Sequence, residues 1–233
     1  MKIAIISDIH ANLEALAAVL NEIDSRQITK IICLGDIVGY GASPNECVNT
    51  IRERMIASIA GNHDKAVAGE IDIENFSESA RSAVLWTRKE LTKENLAYLK
   101  TLSFFLQDEN VLYVHSSPDN PEKFRYLLHI GDAMESFRYL SSPLCFIGHT
   151  HRPTIFCEDL VTQHIVRGKK CIVNVGSVGQ PRDGNWRACF AVFDTEEYVV
   201  EHVRLDYNVF ESQKKIYDSD LPHKLADRLT MGI

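Results

Sequence analysis

A series of short apolar runs constrains this sequence more than any other feature. They span residues 2–7, 30–35, 55–61, 111–115 and 145–149, and each ends in Ser, Gly or His. Continuous apolar runs of this length are typical of strands that are buried on both faces. Because helix-like segments separate the first runs, the pattern predicts βαβ units and a largely parallel arrangement.

The segments around these runs have helical periodicity. The first one, residues 11–27, has apolar residues at helical spacing at Leu13, Leu16, Ala17, Leu20 and Ile23. Residues 44–55 begin with Pro44, and proline is favoured at the first position of a helix. Further helical segments are predicted at 73–101, 119–140 and 207–229.

The later part of the chain is richer in strands. Apolar runs at 154–159, 171–177, 188–194 and 198–205 are separated by Gly, Asp and Asn, which suits an antiparallel meander. We found no repeat and no linker rich in Pro, Gly or Ser. Residues 1–233 are therefore predicted to form a single α/β domain.

Composition narrows the class of protein. The formal net charge is −7, so long nucleic acid is not an expected partner, although a metal could reverse the sign inside one cleft. None of the six cysteines lies in a C-x-x-C pair, which predicts buried free thiols rather than a disulfide framework. No apolar stretch suits a signal peptide or a membrane span, so we expect a cytoplasmic protein without membrane contact.

Polar side chains follow five of the predicted strands at the point where each ends. They are Asp8, His10, Asp36, Asn62, His63, His115, His149 and His151. Each alone has an ordinary explanation as a turn former, a helix cap or a packed histidine. Ligands of α/β sheets collect at the carboxyl ends of the strands, so five such ends in succession favour one metal site.

The chemistry of these side chains indicates the metal. Carboxylate, imidazole and amide groups without a thiolate suit Mn, Fe, Zn, Co or Ni, whereas the imidazoles disfavour Ca and Mg. Seven potential ligands are too many for one tetrahedral ion. They suit two divalent transition metal ions that share a bridging carboxylate.

The order of these motifs carries a family resemblance. D-x-H, GD, GNHD, a single His and GHTH follow one another here as SDIHANLEAL, GDIVGYG, GNHD, His115 and GHTHRP. This set resembles the calcineurin-like metallophosphoesterase superfamily, in particular its small bacterial and archaeal phosphodiesterase-type members. NVGSVGQPRDG and the terminal LPHKLADRL extend the likeness over nearly the whole chain.

The resemblance implies a fold, a mechanism and a role for each motif residue. The fold would be a four-layer α/β sandwich of two mixed sheets flanked by helices. A hydroxide bridging two ions would attack a phosphoester, and His63 would protonate the leaving oxygen. The implied ligands are Asp8, His10 and His151 for the first ion, Asn62, His115 and His149 for the second, and Asp36 as the bridge.

The chain departs from the family pattern at two positions. Ala11 follows His10 and Ser116 follows His115, where the family often has glycine. Both residues are small, so the expected cost is limited to some backbone freedom.

Several secondary sites are left open by the sequence. The Gly-rich segment 174–184 could present N–H groups to a phosphate or be a plain loop. Arg182 could pair with a substrate phosphate or be solvated, and Tyr40 could stack on a substrate ring or pack in the core. The helical segments 73–101 and 119–140 are expected to wall the cleft.

Three functions remain compatible with the resemblance. The favoured one is hydrolysis of a small phosphodiester or phosphomonoester. A nuclease is the alternative enzyme, and the acidic charge weighs against it. The third is a protein-interaction scaffold, the role of the retromer scaffold subunit of the same superfamily, which departs from the catalytic pattern at the position equivalent to His63.

Overall fold

The computed structural model describes residues 1–108, 110–158 and 160–233. Within these ranges, the strands and helices follow one another as β1 (Lys2–Ile6), α1 (Leu13–Ser25), β2 (Lys30–Cys33), α2 (Pro44–Glu53), β3 (Ala57–Ser58), α3 (Asn62–Ala68), α4 (Glu78–Glu90), α5 (Lys93–Thr101), β4 (Phe105–Asp108), β5 (Val111–Val114), α6 (Ile130–Phe137), β6 (Leu144–Ile147), β7 (Thr154–Cys157), β8 (Leu160–Thr162), β9 (Cys171–Asn174), β10 (Ala188–Asp194), β11 (Val199–Leu205), α7 (Val209–Tyr217) and α8 (Lys224–Asp227).

The strands form two mixed sheets, and the expected sandwich flanked by helices is confirmed. The first sheet has the order β11-β10-β1-β2-β3, and the second β4-β5-β6-β9-β7-β8. Strands β1 to β3 are parallel, as are β5, β6 and β9, and the other pairings are antiparallel.

Strand β9 corrects the prediction of a simple meander. It pairs antiparallel with β7, as β10 does with β11, and both pairings agree with a meander. Its other neighbour, however, is β6 in parallel and not β10, and β8, which pairs with β7, was not predicted. All four residues of β9 are buried. A wholly buried strand needs a neighbour on each side to pair its backbone groups, and an interior position in the second sheet provides both.

The larger apolar core lies between the first sheet and the helices, and a second one lies between the two sheets. Side chains alternate along each strand, so Ile3 and Ile5 of β1 face the second sheet, whereas Ala4 and Ile6 face the helices. Phe146 of β6 is fully buried at this interface. Its ring centroid lies 5.7 Å from that of Tyr113 and 5.6 Å from that of Phe193 in the first sheet.

The first two helices form largely as predicted. Asn12 caps α1 by accepting a hydrogen bond from the Ala15 main-chain N, and α2 begins at Pro44. One predicted core position of α1 is wrong, because Ala17 is exposed and Val19 is buried on the packed face.

The two later helical segments are shorter than predicted. Residues 73–101 contain α4 and α5, which are separated because Thr92 caps a new helix. Of residues 119–140, only α6 is an α-helix, preceded by a 3-10 turn over Pro121–Lys123. Phe124 adopts a left-handed conformation with φ of 49°, which ends that turn.

The prediction of free thiols is wrong for two of the six cysteines. Cys157 and Cys171 form a disulfide, because the register of β7 and β9 places them opposite each other with Cα atoms 4.1 Å apart. The other four, Cys33, Cys47, Cys145 and Cys189, are buried free thiols as expected.

Among the residues that the structure describes, no helix has both the length and the apolar character needed to cross a bilayer.

The packing of Phe146 generates a stability prediction. Phe146→Ala should lower the free energy of unfolding by about 3–5 kcal/mol, because it leaves a cavity between the sheets. Urea denaturation measures this loss. Phe210→Ala is the matched control, since Phe210 is 74% exposed and its truncation should change the stability by less than about 0.5 kcal/mol. Equal losses in both variants would contradict the assigned core.

Candidate metal centre

The carboxyl ends of strands from both sheets meet at one edge of the sandwich. Asp8 and Asp36 follow β1 and β2, Asn62 begins α3 after β3, and His115 and His149 follow β5 and β6. His10 and His151 lie two residues beyond Asp8 and His149. The structure thus brings together all the strand-end residues that the sequence singled out.

The backbone of these residues is held in an uncommon conformation. Asp8, His10, Asp36, His149 and His151 all have φ between 48° and 67°. Left-handed backbone at a non-glycine residue is unfavourable and clusters at functional sites. Hydrogen bonds between the loops hold it here, as His10 N donates to Asp36 O at 2.9 Å and Asp8 N donates to Gly35 O at 3.0 Å.

Two glycines of the motifs leave room for the carboxylates. A Cβ atom at Gly61 would lie 2.0 Å from Asp36 Oδ1. At Gly148 it would lie 2.4 Å from Asp8 Oδ2. Both distances are well below van der Waals contact, so close approach explains the glycines of GNHD and GHTH. Ala11, where the family often has glycine, has φ of 51°, as a tight turn requires.

The ligand atoms fall into two groups, with Asp36 between them. In the first group, His151 Nε2 lies 3.2 Å from Asp8 Oδ1 and 3.1 Å from His10 Nε2. In the second, Asp36 lies with His115 and His149, whose ligand atoms are all within 4.8 Å of one another. Asp36 Oδ2 is 3.4 Å from His115 Nε2 and 3.6 Å from His10 Nε2, so this carboxylate reaches both groups.

Main-chain carbonyls fix the tautomers of three histidines. The Nδ1 atoms of His10, His115 and His151 lie 3.1, 2.8 and 2.5 Å from carbonyl oxygens of Val38, Leu34 and Gln180. A carbonyl only accepts, so each Nδ1 donates and each neutral ring presents a lone pair at Nε2. These lone pairs face carboxylate oxygens, which also only accept.

The close contact of buried carboxylates and histidines also shifts their pKa values. Burial would raise the pKa of Asp8 and Asp36, but the neighbouring histidines outweigh it and hold both pKa values well below the usual range. Burial disfavours the charged form of His115, yet Asp36 and Asp8 outweigh it and raise its pKa to about 9. Because a histidine must lose its proton to bind a metal, an ion at His115 would displace this proton.

Several buried polar atoms of this centre have no hydrogen-bond partner, as expected for metal ligands. Among the described residues, the buried atoms Asn62 Oδ1, His115 Nε2 and His149 Nε2 have no hydrogen-bond partner. Buried polar atoms are almost always paired, so three unpartnered atoms beside two carboxylates fit a site that binds a cation. Oxygen and imidazole donors together suit a divalent transition metal.

His63 lies next to this centre. Its main-chain N donates to Asp36 Oδ1 at 2.8 Å, and its ring packs 4.4 Å from Tyr40 and 4.9 Å from His10 between ring centroids. His63 also lies with His10 and Asp36 in a third group of possible ligand atoms within 4.8 Å of one another. Its buried Nδ1 has no partner among the described residues.

A cleft of about 850 Å³ opens at His63 and His149. The segments 73–101 and 119–140 both line the cleft as expected, but they do so mainly through residues 75–77 and 122–126, which lie outside the α-helices. This volume lies in the range of small-ligand sites.

The structure shows the surroundings of two secondary sites, the 174–184 loop and Tyr40. Main-chain N–H groups of the 174–184 loop bond inside the protein, including Val178 N to Ser7 O and Gly179 N to Asp8 O, both at 2.9 Å. The loop therefore supports the Asp8 turn, and these N–H groups are not available to a phosphate. Tyr40 is only 8% exposed and packs on His10 and His63, and it also lines the cleft, so both interpretations of this residue stay open.

Three further residues contribute to the site and were not assigned by sequence. Asp64 accepts hydrogen bonds from Ile37, Val38 and Gly61 main-chain N atoms, and thus joins the second and third motifs. Its only sequence signal is its place in GNHD. Tyr126 stacks on His149 with ring centroids 4.0 Å apart, and Arg228 lines the cleft from the terminal LPHKLADRL segment.

Comparison with known proteins identifies the family. The model of the calcineurin-like phosphoesterase superfamily domain matches residues 1–198. The chain belongs to this superfamily. Membership supports a hydrolase of phosphoester type, and the clustered carboxylates and histidines agree with the metal dependence typical of calcineurin-like phosphoesterases.

Relatives of this calcineurin-like phosphoesterase occur in bacteria and archaea. An uncharacterized protein of Methanocaldococcus jannaschii is 42% identical over 242 residues, which cover 99% of this chain and 98% of that protein. A metallophosphoesterase crystal structure from Sphaerobacter thermophilus has a TM-score of 0.89 at 38% identity, covering 100% of this chain and 99% of its own. A hypothetical protein from Pyrococcus horikoshii OT3 shares the fold, with a TM-score of 0.86 at 22% identity and coverage of 100% and 98%.

The position of Asp36 generates a prediction about metal content. After loading with Mn²⁺ or Zn²⁺, the wild-type protein should retain about two ions per chain by elemental analysis. Asp36→Asn should lose most of both, because this carboxylate reaches both groups. Asp72→Asn removes the same charge from an exposed residue of the cleft and should keep both ions. Retention of both ions by Asp36→Asn would show that Asp36 is not shared.

Proposed function

We propose that this chain hydrolyses small phosphodiesters or phosphomonoesters with the aid of two divalent transition metal ions. The observation that carries the proposal is a buried set of acceptors, Asp8 and Asp36 with the Nε2 lone pairs of three histidines, beside an open cleft. Mn, Fe, Zn, Co and Ni are the metals that this ligand chemistry favours.

The residues that would hold the ions follow from the two groups. The ligands are Asp8, His10 and His151 for one ion, Asn62, His115 and His149 for the other, and Asp36 for both. Two ions bound there would stabilise negative charge on the phosphoryl oxygens and supply a nucleophilic water at neutral pH. The carbonyl oxygens of Val38, Leu34 and Gln180 keep three of the rings oriented for this task.

We assign His63 to the leaving group. Its ring lies at the cleft beside the centre, and the hydrogen bond from its main chain to Asp36 fixes its position. Burial lowers the pKa of His63 to about 4, and Arg182 adds to this effect, so the ring is neutral at pH 7. A bound phosphate would favour the protonated form through its negative charge, and the ring could then donate a proton to the departing oxygen.

We assign Arg182 to binding of the phosphoryl group. Its guanidinium donates to Gln180 Oε1 at 2.8 Å and lies over the Tyr40 ring, with Cζ 5.5 Å from the ring centroid. Its Nε is buried and has no partner among the described residues. An arginine held in this way offers donors to phosphate oxygens next to His63.

The role of His63 predicts a dependence on the leaving group. His63→Ala should keep its metal content but lose about 10²–10⁴ in rate on alkyl phosphate esters, whose leaving oxygen needs a proton. On nitrophenyl esters the loss should be much smaller, because nitrophenolate departs without one. Steady-state kinetics on both substrates measures the difference. Equal losses would exclude His63 as the general acid.

The charge of the chain predicts the substrate size. With a net charge of −7, the protein as a whole should repel a long polyanion, so we expect a small ester as substrate, and KM for a nitrophenyl phosphodiester should depend weakly on salt. Hydrolysis of this ester should be compared with cleavage of long single- and double-stranded DNA and RNA at several salt concentrations. Efficient, salt-sensitive cleavage of the polymers with inactivity on the small ester would instead identify a nuclease.

A further inference from the structure

Three aromatic side chains line the cleft beside the candidate metal centre, and the proposed hydrolysis assigns no task to them. They are Phe76, Phe124 and Tyr126. The first two are half-buried, and Tyr126 is 48% exposed. Aromatic surface that stays accessible inside a cleft is unfavourable in water and is typical of a site that binds a small molecule.

The segment that carries Phe124 and Tyr126 alternates between residues that anchor it and residues that line the cleft. Arg125 donates to Asp119 Oδ1 at 2.8 Å, and Leu127 is buried in the apolar cluster that includes side chains of α6 and β6. Phe124 and Tyr126 line the cleft, whereas Arg125 and Leu127 do not. The anchoring residues therefore hold both aromatic rings at the cleft.

Phe124 occupies its place at a conformational cost. Its φ of 49° lies in the left-handed region, which is rare for a bulky side chain and which clusters at functional sites. Its ring centroid lies 6.0 Å from that of His115 and 6.4 Å from that of His149. The strained backbone thus holds an apolar ring beside two candidate metal ligands.

Tyr126 lies nearly flat against His149. The ring centroids are 4.0 Å apart, and the ring planes differ by 22°. His149 covers one face of the Tyr126 ring, and the exposed remainder of the ring is open to the cleft. Because His149 groups with Asp36 and His115, a substituent one or two bonds from a phosphoryl group at this centre would reach Tyr126.

Phe76 extends the aromatic surface to the other part of the cleft. Its ring centroid lies 5.3 Å from that of His63, the residue assigned to the leaving group. Aromatic rings therefore border the cleft both at His63 and at His149. Aromatic pairs gain energy beyond the burial of their apolar area, because the edge of one ring and the face of another carry opposite partial charges.

From these contacts we propose that Tyr126 stacks on a flat ring of the substrate, so that the preferred substrates are phosphoesters with an aromatic or heteroaromatic ring close to the reacting phosphoryl group. The inference rests on the proposed phosphoesterase function and names the substrate class of that site. Tyr126 is thus a specificity-determining residue, and Phe76 and Phe124 shield the bound ring from water.

Three phosphonates that cannot be hydrolysed test this proposal. Benzylphosphonate, cyclohexylmethylphosphonate and methylphosphonate share the charged group and differ only in the substituent. Calorimetry at a fixed free concentration of Mn²⁺ measures their affinities. We expect the wild-type protein to bind benzylphosphonate about fivefold more tightly than cyclohexylmethylphosphonate, because only the flat ring can stack. A cleft that merely favours apolar groups would bind these two compounds equally.

Variants of Tyr126 assign the preference to this residue. Tyr126→Leu should abolish the preference for benzylphosphonate, since leucine is apolar but has no flat face, whereas Tyr126→Phe should keep it. Tyr139→Leu is the matched control, because Tyr139 is 64% exposed and does not line the cleft, and it should behave as the wild-type protein does. A preference that persists in Tyr126→Leu would overturn the proposal.

Metal content separates stacking on a substrate from mere support of His149. Elemental analysis of Tyr126→Leu after loading with Mn²⁺ should show the ions retained while the preference is lost. Loss of metal together with an equal weakening of all three phosphonates would show that Tyr126 only orients His149, and the proposal would then be wrong.

The binding measurement also separates this inference from the proposed function. A preference for benzylphosphonate that depends on Tyr126 would support the inference even if no phosphoester were hydrolysed, and such inactivity would count against the proposed function alone. Equal affinities of benzylphosphonate and cyclohexylmethylphosphonate for the wild-type protein, or no binding of any of the three, would contradict the inference.

Discussion

Two buried carboxylates are the constraint on which the rest of this structure depends. Asp8 and Asp36 are at most 1% exposed, and taking a carboxylate out of water costs several kcal/mol unless positive charge or hydrogen bonds offset it. The groups around the two carboxylates reduce this cost. His149 N and His63 N donate to them, Gly61 and Gly148 leave them space, and three oriented imidazole rings face them. A cation at this position would offset the part of the desolvation cost that these groups leave.

The two-sheet architecture is what makes such a centre possible. The loops at the carboxyl ends of a single parallel sheet all lie along one edge. In two packed sheets, loops from both sheets can contact the same site from opposite sides. Asp8, Asp36 and Asn62 come from the first sheet, and His115, His149 and His151 from the second. The dense packing of the apolar layer between the sheets, with Phe146 at its interior, sets the distance between the two sides.

The sequence predicted the centre better than it predicted the surroundings, and the reason is local. Each motif residue lies within four residues of the end of a strand or at the start of a helix, so a strand pattern was enough to place it. The interior position of β9, the pairing of Cys157 with Cys171 and the irregular chain before α6 depend on register and on neighbours distant in sequence. Arg228 was missed for the same reason, because only the docking of the terminal segment on the loop of Arg182 brings it to the cleft.

The hydrogen bonds from the 174–184 loop to Ser7 and Asp8 also bear on biosynthesis. Strand β1 lies between β2 and β10, and the turn that carries Asp8 is supported by Val178 and Gly179. Ser7 and Asp8 are synthesised long before Val178 and Gly179, because most of the chain lies between them. The N-terminal half leaves the ribosome with its acidic ligands made but without the segment that supports them. The centre is therefore among the last parts of the molecule to assemble, and a metal ion would meet a finished site only when synthesis is nearly complete.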